Sequence, residues 1–368
     1  MAVPPISTID DAALRDAMTA LQQPVWRAEQ LRQATWQPFI GGFDDVRQLP
    51  AGLRARIAEQ LTFSTVTRAA EVEADGGATI KLLCHLADGL SVETVAMETT
   101  ARGAARRRST VCVSSQVGCA IGCPFCATGR AGLRRSCTAA EIVDQVRTAG
   151  AALHRRGLGP VTHVVYMGMG EPLANTDAVI ASLHVLVERA GISPRRITVS
   201  TSGVVPGIRA LGRDAPPVRL AVSLHAATDE LRDRLVPLNR AHPIADLVDT
   251  ATAYAGHAGR RLTFEWCLIG GVNDSLEQAH RLRALASSAA AHVNVIPMNR
   301  IDGSAWGPPA AAVSRAFLDA LQGVRVSVRD TRGNDADAAC GQLRALLETR
   351  RELRPDGTLT PPRHAAAR

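Results

Sequence analysis

The sequence lacks the features of secreted and membrane proteins. It contains no stretch of about 18 consecutive apolar residues, so we expect no membrane-spanning helix. The amino-terminal segment has neither a basic start nor a long apolar run, so we expect no signal peptide. Eight cysteines in 368 residues are too few for a disulfide scaffold. Three of them are clustered, which is typical of metal or redox chemistry in a reducing compartment, and we expect a cytoplasmic protein without membrane contact.

Lysine is almost absent. The chain has 42 basic residues and a net charge of +7, and Lys81 is its only lysine. Codon usage in a GC-rich genome explains why arginine is used in place of lysine, but it does not explain the positive net charge. Arginine clusters at positions 106–108 and 134–135 are able to bind phosphates in a bidentate manner. Because runs of surface charge are usually only solvated, the charge by itself is weak evidence for nucleic acid binding.

Hydrophobic periodicity divides the chain into five segments. Residues 1–65 show helical periodicity and predict a small helical domain, and residues 66–108 predict a β-hairpin followed by a basic linker. In residues 109–330, six strand-like runs alternate with amphipathic segments, which predicts an α/β fold with a parallel sheet, a partial (βα)6 barrel. Residues 331–352 form a carboxy-terminal segment that carries Cys340, and we expect residues 353–368 to be a disordered tail.

Three cysteines follow the first strand of the predicted barrel with the spacing C-x3-C-x2-C: Cys119, Cys123 and Cys126. A cubane iron–sulfur cluster bound by three thiolates leaves its fourth iron open to a small molecule. This spacing is the signature of radical S-adenosylmethionine (SAM) enzymes. A structural zinc site usually has four ligands, and Cys112 or Cys137 is available as the fourth, so zinc stays open on spacing alone.

Polar groups follow the later strands of the predicted barrel. Catalytic groups of such folds lie at the carboxyl ends of the strands. Gly170 and Glu171 end the second run in a glycine-rich turn, where backbone and carboxylate are able to approach an amine such as that of SAM. The groups after the other strands form a ring suited to a ribose, an adenine and a carboxylate: Ser200, Ser223, Leu224, His225 and Asn299. Taken singly, a serine or histidine there is more often a turn former or a helix cap.

The sequence resembles the RlmN/Cfr family of radical SAM RNA adenine methyltransferases over almost its whole length. The resemblance is carried by VCVSSQVGCAIGCPFCATG, VVYMGMGEPLAN, VSLHAATDELRDRLVPLNR, VNVIPMN and TRGNDADAACGQL. The combination of the first and last of these motifs is highly specific. Leu133, Ser136 and Cys137 depart from the family, whose members more often have Phe, Asn and Leu at these positions.

The resemblance implies one [4Fe-4S] cluster on Cys119, Cys123 and Cys126, and two SAM molecules per turnover. Cys340 would accept a methyl group from the first SAM and become S-methylcysteine. Cleavage of the second SAM would give a radical that activates this methyl group, which would then add to an electron-poor adenine carbon. Glu93 would remove the proton from that carbon, and Cys112 would release the product through a transient disulfide with Cys340. The resemblance also assigns the SAM contacts to Gly170, Glu171, Ser200, Ser223, Leu224, His225 and Asn299.

The substrates that the resemblance implies are two adenines. One lies in the peptidyl-transferase loop of 23S rRNA and the other lies 3′ to the anticodon of tRNA, and each would be methylated at C2. A flavodoxin- or ferredoxin-type protein would supply electrons, and we expect a monomer. C8 methylation, the antibiotic-resistance activity of the Cfr branch, is the first alternative, since both branches share the cysteines. A zinc-stabilised RNA-binding protein without catalysis is the second, but it leaves the SAM motifs and Cys340 unexplained.

Overall fold

The computed structural model describes residues 3–100, 107–299 and 306–329, and every structural statement below refers to these residues. Cys340, the segment 331–352 and the predicted tail lie outside them, as does the arginine at position 106.

The amino-terminal residues form a small helical unit with its own apolar core. It consists of α1 (Asp11–Ala20), α2 (Trp26–Thr35) and α3 (Ala51–Gln60). Leu14, Leu31 and Ile57 are buried between the helices. The Asp10 side chain accepts a hydrogen bond from the Ala13 amide at 2.7 Å and so caps the start of α1. The predicted helical periodicity of this segment is therefore present in the structure.

Ten of the twelve described strands form one sheet. The antiparallel part contains β1 (Val66–Ala74), β2 (Thr79–Leu86), β3 (Ser91–Thr100) and β4 (Arg107–Cys112). A separate pair consists of β5 (Gln116–Gly118) and β6 (Leu133–Ser136). The sheet continues from β4 through the parallel strands β7 (His163–Tyr166), β8 (Ile197–Thr201), β9 (Arg219–Ser223), β10 (Thr263–Leu268), β11 (His292–Pro297) and β12 (Arg325–Val328). The predicted hairpin is β2–β3, and β1 is an additional strand that the sequence did not reveal.

Helices connect the parallel strands. They are α4 (Ala127–Arg130), α5 (Ala139–Arg155), α6 (Thr176–Glu188), α7 (Val205–Asp214), α8 (Asp229–Leu235), α9 (Ile244–Ala258), α10 (Leu276–Ser288) and α11 (Ala311–Ala320). Six β–α units therefore run from β4 to the final strand β12, which confirms the α/β class and the partial (βα)6 barrel. Within the described residues, no helix combines the length and apolarity that crossing a bilayer requires.

Strand register places the candidate site residues on one face of the long sheet. Alternate residues of a strand share a face, and residues paired across a ladder point the same way. The helices pack on the outer face, against buried valines such as Val111 and Val222. The pairings that link β3, β4, β7, β8, β9 and β10 place Glu93, Cys112 and Ser223 together on the inner face. The antiparallel extension and the barrel thus contribute to the same inner surface.

Candidate active site

The three motif cysteines lie on a closed loop between β5 and β6. The Cys119 amide donates to the Gly132 carbonyl oxygen at 3.0 Å, and the Cys126 amide donates to the Cys123 carbonyl oxygen at 3.1 Å. Gly118 has a φ of +84°, and a Cβ atom there would lie 1.9 Å from the Gly132 carbonyl oxygen. Only glycine fits this position, because the two strands of the loop approach too closely for a side chain.

The environment of these thiols opposes their ionisation unless positive charge is supplied. Burial, together with the charges of Glu171 and Cys126, raises the pKa of Cys119 to about 11. Burial and the neighbouring thiols raise the pKa of Cys123 to about 12. Metal ions would supply the missing charge, since thiolates are the form that binds metal.

The donor set of the cysteine loop, three thiols, fits an iron–sulfur cluster. Among the described residues, no three His, Cys, Asp or Glu side chains converge closely enough to hold one metal ion. Four-coordinate zinc, with bonds of about 2.3 Å, would require its sulfur ligands to lie about 3.8 Å apart. An iron–sulfur cluster takes thiolates as its usual ligands and holds them farther apart, so this all-thiol donor set is suited to it.

The cysteine loop packs against the carboxyl ends of the barrel strands. Cys123 and Phe125 contact an apolar group that includes Ala226 and Met298, which follow β9 and β11. The Phe125 ring meets the His225 ring edge to face, with the centroids 4.9 Å apart. A cofactor bound to the loop would therefore lie beside the strand ends that carry the predicted SAM contacts.

The glycine-rich turn after β7 lies directly on the segment that leads to the cysteine loop. The Met169 amide donates to Ser114 Oγ at 2.9 Å, and the Glu171 amide donates to Gln116 Oε1 at 2.9 Å. Gly170 has a φ of +97°, and a Cβ atom there would lie 2.5 Å from the Gln116 Cβ atom. The turn requires glycine because its backbone is pressed against residues that precede the first cysteine.

Glu171 is buried and bound to the end of β8. Its carboxylate accepts hydrogen bonds from the Leu173 amide, from Thr201 Oγ1, and from the amide and hydroxyl of Ser202, at 2.7 to 3.0 Å. Burial nevertheless raises the pKa of this carboxyl group. A carboxylate has about four lone-pair positions. The four protein donors therefore occupy all the positions at which Glu171 can accept a hydrogen bond. Glu171 therefore holds the turn against β8, next to the half-buried Gly170.

The later strand ends lie side by side as predicted. Ser200 Oγ and Ser223 Oγ are 3.4 Å apart. His225 Nδ1 accepts the Cys267 amide at 2.9 Å, and burial, together with the charge of Arg232, lowers the pKa of His225 to about 3. This imidazole is therefore neutral, with its proton on Nε2.

The two remaining predicted contacts differ in exposure. Leu224 is fully buried, and its amide donates to the Glu265 carbonyl oxygen at 3.1 Å, so its side chain belongs to the apolar core. Asn299, two residues beyond β11, is half-buried.

Arg232 is a site residue that sequence reasoning missed. It is fully buried in α8. Its Nη2 atom donates to the carbonyl oxygens of Ser202 and Ser223 at 2.6 and 3.2 Å, and its Nε atom donates to the Leu224 carbonyl oxygen at 3.1 Å. Nη1 donates to Asn239 Oδ1 at 2.9 Å. One guanidinium thus joins the ends of β8 and β9, and the available signal was an arginine inside the LRDRLVPLNR motif.

Comparison with known proteins identifies the family. Residues 113–282 match the model of the Radical SAM superfamily. A protein of Parafrankia sp. is 44% identical over 348 residues, which cover 90% of this chain and 89% of the relative. A protein of Moorella thermoacetica is 45% identical over 338 residues, which cover 90% and 94%. Both are named probable dual-specificity RNA methyltransferase RlmN. The chain belongs to the RlmN family.

A solved structure supports the same relationship. The crystal structure of a radical SAM methyltransferase from Sphaerobacter thermophilus is 42% identical, with a TM-score of 0.86, and the match covers 92% of this chain and 98% of that one. Membership of the RlmN family confirms the predicted cofactors, an iron–sulfur cluster and SAM. The non-catalytic zinc alternative is thereby set aside.

In this RlmN-family chain, Glu93 and Cys112 lie on neighbouring strands of the inner face. Val95 on β3 pairs with Cys112 on β4, and Glu93 is two residues before Val95. The Glu93 carboxylate forms a buried ion pair with Lys81, with a distance of 3.1 Å between Oε2 and Nζ. Cys112 is a half-buried free thiol, and burial raises its pKa to about 11. Cys340, its predicted partner, lies outside the described residues.

Proposed function

We propose that this chain methylates C2 of an adenine in the peptidyl-transferase loop of 23S rRNA and of the adenine 3′ to the anticodon in tRNA. The observation that carries the proposal is the shared inner face. Glu93, Cys112 and the serines at the ends of β8 and β9 belong to one continuous sheet, and the cysteine loop lies at its carboxyl edge. The proposed proton acceptor, the Cys112 thiol and the polar side chains of Ser200 and Ser223 share one face of the sheet, which supports the proposal.

We assign the cofactor contacts to the residues that these positions bring together. Cys119, Cys123 and Cys126 would hold the [4Fe-4S] cluster. SAM would contact Gly170, Glu171, Ser200, Ser223, Leu224, His225 and Asn299, through the backbone at Leu224 and with Glu171 also acting as a fixed support of the turn. When bound, the cluster and SAM supply the radical chemistry that methylation of an electron-poor carbon requires.

The protein's own residues would handle protons and product release. Glu93 is the proton acceptor, and its ion pair with Lys81 keeps the carboxylate in place on β3. Cys340 would carry the methyl group as S-methylcysteine and, through its carbon, become bonded to the adenine. Cys112 would then attack the Cys340 sulfur atom, so that a disulfide forms as the carbon–sulfur bond of the adduct breaks, and the carbon takes up a proton and leaves as the methyl group of the RNA. Because the pKa of Cys112 is about 11, this attack needs a base or the approach of a positive charge, and the charges of Arg329 and Lys81 already act in that direction.

Several further assignments belong to the same proposal. A flavodoxin- or ferredoxin-type protein delivers electrons, and the enzyme is a cytoplasmic monomer. The domain limits at residues 65, 108, 330 and 352 are supported at the first boundary by the separate apolar core of the helical unit, which ends at Leu61.

Mass spectrometry of rRNA and tRNA fragments after reaction tests the proposal. We expect 2-methyladenine at both positions, and exclusive 8-methyladenine would establish the C8 alternative instead. The Cys112→Ala variant should purify with RNA attached to Cys340, because release of the covalent adduct is blocked. Recovery of this variant free of RNA, with normal methylation, would remove Cys112 from the mechanism.

A further inference from the structure

The amino ends of the barrel strands carry three arginines and a histidine far from the cysteine loop. Arg108 lies on β4, His163 begins β7, Arg196 directly precedes β8 and Arg219 begins β9. We call these four residues the amino-end basic cluster. Arg108 is four residues before Cys112, a distance of about 13 Å along an extended strand. The basic cluster therefore lies at the opposite end of the barrel from the candidate active site.

Register shows that the amino-end basic cluster belongs to one face. Thr110 on β4 pairs with His163, and Thr198 on β8 pairs with Arg219. Arg108 precedes Thr110 by two residues, and its Nε atom donates to Thr110 Oγ1 at 3.2 Å. The side chains of Arg108, His163 and Arg219 therefore point to the inner face, as Cys112 does at the other end.

The arginines of this cluster have no carboxylate partner among the described residues. Elsewhere in the molecule, arginines such as Arg68, Arg135 and Arg147 form ion pairs with glutamate or aspartate. The described ion pairs include none with Arg108, Arg196 or Arg219, all of which are exposed. An exposed group of like charges without counterions is the arrangement that a bound anion would stabilise.

The electrostatics of His163 agree with this geometry. Burial and the charges of Arg108, Arg196 and Arg219 lower the pKa of His163 to about 4. No carboxylate among the described residues acts on it in the opposite direction. Thr162 Oγ1 donates to the Ser109 carbonyl oxygen and lies 2.9 Å from His163 Nδ1, so the neutral ring carries its proton on Nδ1. The charges of the three guanidinium groups therefore all lower the pKa of the same neutral imidazole, that of His163.

We propose that the amino-end basic cluster is a second RNA-binding site, which takes backbone phosphates of the substrate RNA outside the region that enters the active site. Arginine is suited to this role because its planar fork binds phosphate oxygens in a bidentate manner. RNA is favoured over an acidic electron-transfer protein, because a reductase has to approach the cysteine loop at the opposite end. The proposal takes its partner from the function proposed above but concerns a separate surface.

The test is the salt dependence of RNA binding. The triple variant Arg108→Gln, Arg196→Gln, Arg219→Gln is compared with a control, Arg56→Gln, Arg209→Gln, Arg283→Gln, which changes three exposed arginines on helices and has the same net charge. Fluorescence anisotropy with a labelled rRNA fragment containing the peptidyl-transferase loop gives the affinity at several salt concentrations. Each lost phosphate contact lowers the slope of log K against log salt by about 0.7 to 0.9. We expect the magnitude of this slope to fall by about 2 in the basic-cluster variant and by less than about 1 in the control.

A second measurement identifies the ligand. The ring resonances of His163, followed by NMR in the full-length protein, should titrate at higher pH when the rRNA fragment is bound, since phosphate offsets the arginine charges. Equal slopes for the two triple variants would overturn the proposal. A response of His163 to inorganic phosphate with unchanged RNA slopes would indicate a small-anion site and would also overturn it. Loss of iron–sulfur reduction by flavodoxin with unchanged RNA binding would overturn it as well. Failure of methylation with the expected slopes would count against the proposed function alone.

Discussion

The Lys81 ammonium lies 3.1 Å from the Glu93 carboxylate, and both side chains are almost completely buried. The only lysine of the chain thus pairs with the residue assigned to accept a proton. Removing one member of a buried ion pair typically costs about 3 to 5 kcal/mol, because the remaining charge loses its partner. The pair therefore connects the stability of the extension with the proposed chemistry.

We expect Lys81→Met to lower the free energy of unfolding by about 3 kcal/mol or more, for the reason just given. The double variant Lys81→Met, Glu93→Gln should recover part of this loss, because it leaves no buried charge at the pair. Urea denaturation of the wild type and the two variants measures the loss and its recovery. If Lys81→Met is as stable as the wild type, the ion pair does not hold Glu93 in the folded protein.

The cysteine loop should tolerate alanine at one glycine and not at another. Gly122 has a φ of +73°, and a Cβ atom added there would meet nothing within 4 Å, so Gly122→Ala should cost only about 1 to 2 kcal/mol. Gly118→Ala adds a collision with the Gly132 carbonyl oxygen and should displace the loop. We expect the Gly118→Ala protein to lose most of its iron after anaerobic reconstitution and the Gly122→Ala protein to retain it. Similar iron contents would show that the close approach is not required for binding.

Arg232 should support SAM binding through the strand ends that it joins. Arg232→Gln removes donors from one buried and two partly buried carbonyl oxygens. A buried acceptor left unsatisfied typically costs about 1 to 3 kcal/mol. We expect a reduction in SAM affinity of about tenfold or more by equilibrium dialysis, together with a lower free energy of unfolding. Arg234→Gln, an exposed change on the same helix, is the control. Equal SAM affinities for the two variants would restrict Arg232 to a role in stability.

The reactivity of Cys112 should depend steeply on pH. With a pKa of about 11, the thiolate fraction is about one in ten thousand at pH 7 and rises about tenfold per pH unit. Iodoacetamide labelling, quantified by mass spectrometry of the Cys112 peptide, should follow this slope up to about pH 10. Cys267, whose pKa burial raises to about 12, should react roughly ten times more slowly and serves as an internal comparison. A labelling rate that is independent of pH below about 9 would contradict the raised pKa of Cys112.

The barrel was predictable because its sequence signals are local. Valine-rich runs alternate with amphipathic segments, and α5 begins with a capping box in which Thr138 and Glu141 satisfy each other's backbone amides. Strand β1 was missed because its VTRAAEVEA sequence is rich in alanine and glutamate, which favour helices. Its antiparallel pairing with the neighbouring strand β2, across the turn at residues 75–78, makes it a strand in spite of this composition.

The candidate site was predictable to the level of residue positions but not of contacts. The cysteine spacing and the serines at the strand ends were predicted from the sequence. The structure places Ser200 Oγ and Ser223 Oγ 3.4 Å apart. The four hydrogen bonds of Glu171 and the carbonyl contacts of Arg232 depend on segments that meet only after folding. Arg232 has backbone atoms as most of its acceptors, and such partners leave no pattern of complementary side chains in the sequence.

The ladder between β3 and β4 has a consequence for how such enzymes could diversify. Glu93 belongs to the extension, and the cysteine loop belongs to the barrel. The β3–β4 ladder sets their relative position, together with side-chain contacts such as the hydrogen bond from Ser114 Oγ to the Glu93 carbonyl oxygen. If relatives exchanged the extension, Glu93, the proposed proton acceptor, would therefore be transferred with it, and the cysteine loop would be unchanged. A single residue inserted between Glu93 and Val95, where pairing with β4 begins, would instead turn that carboxylate toward the opposite face. In this architecture the proposed proton acceptor and the cysteine loop thus lie on separate segments of the chain, and one segment can change without the other.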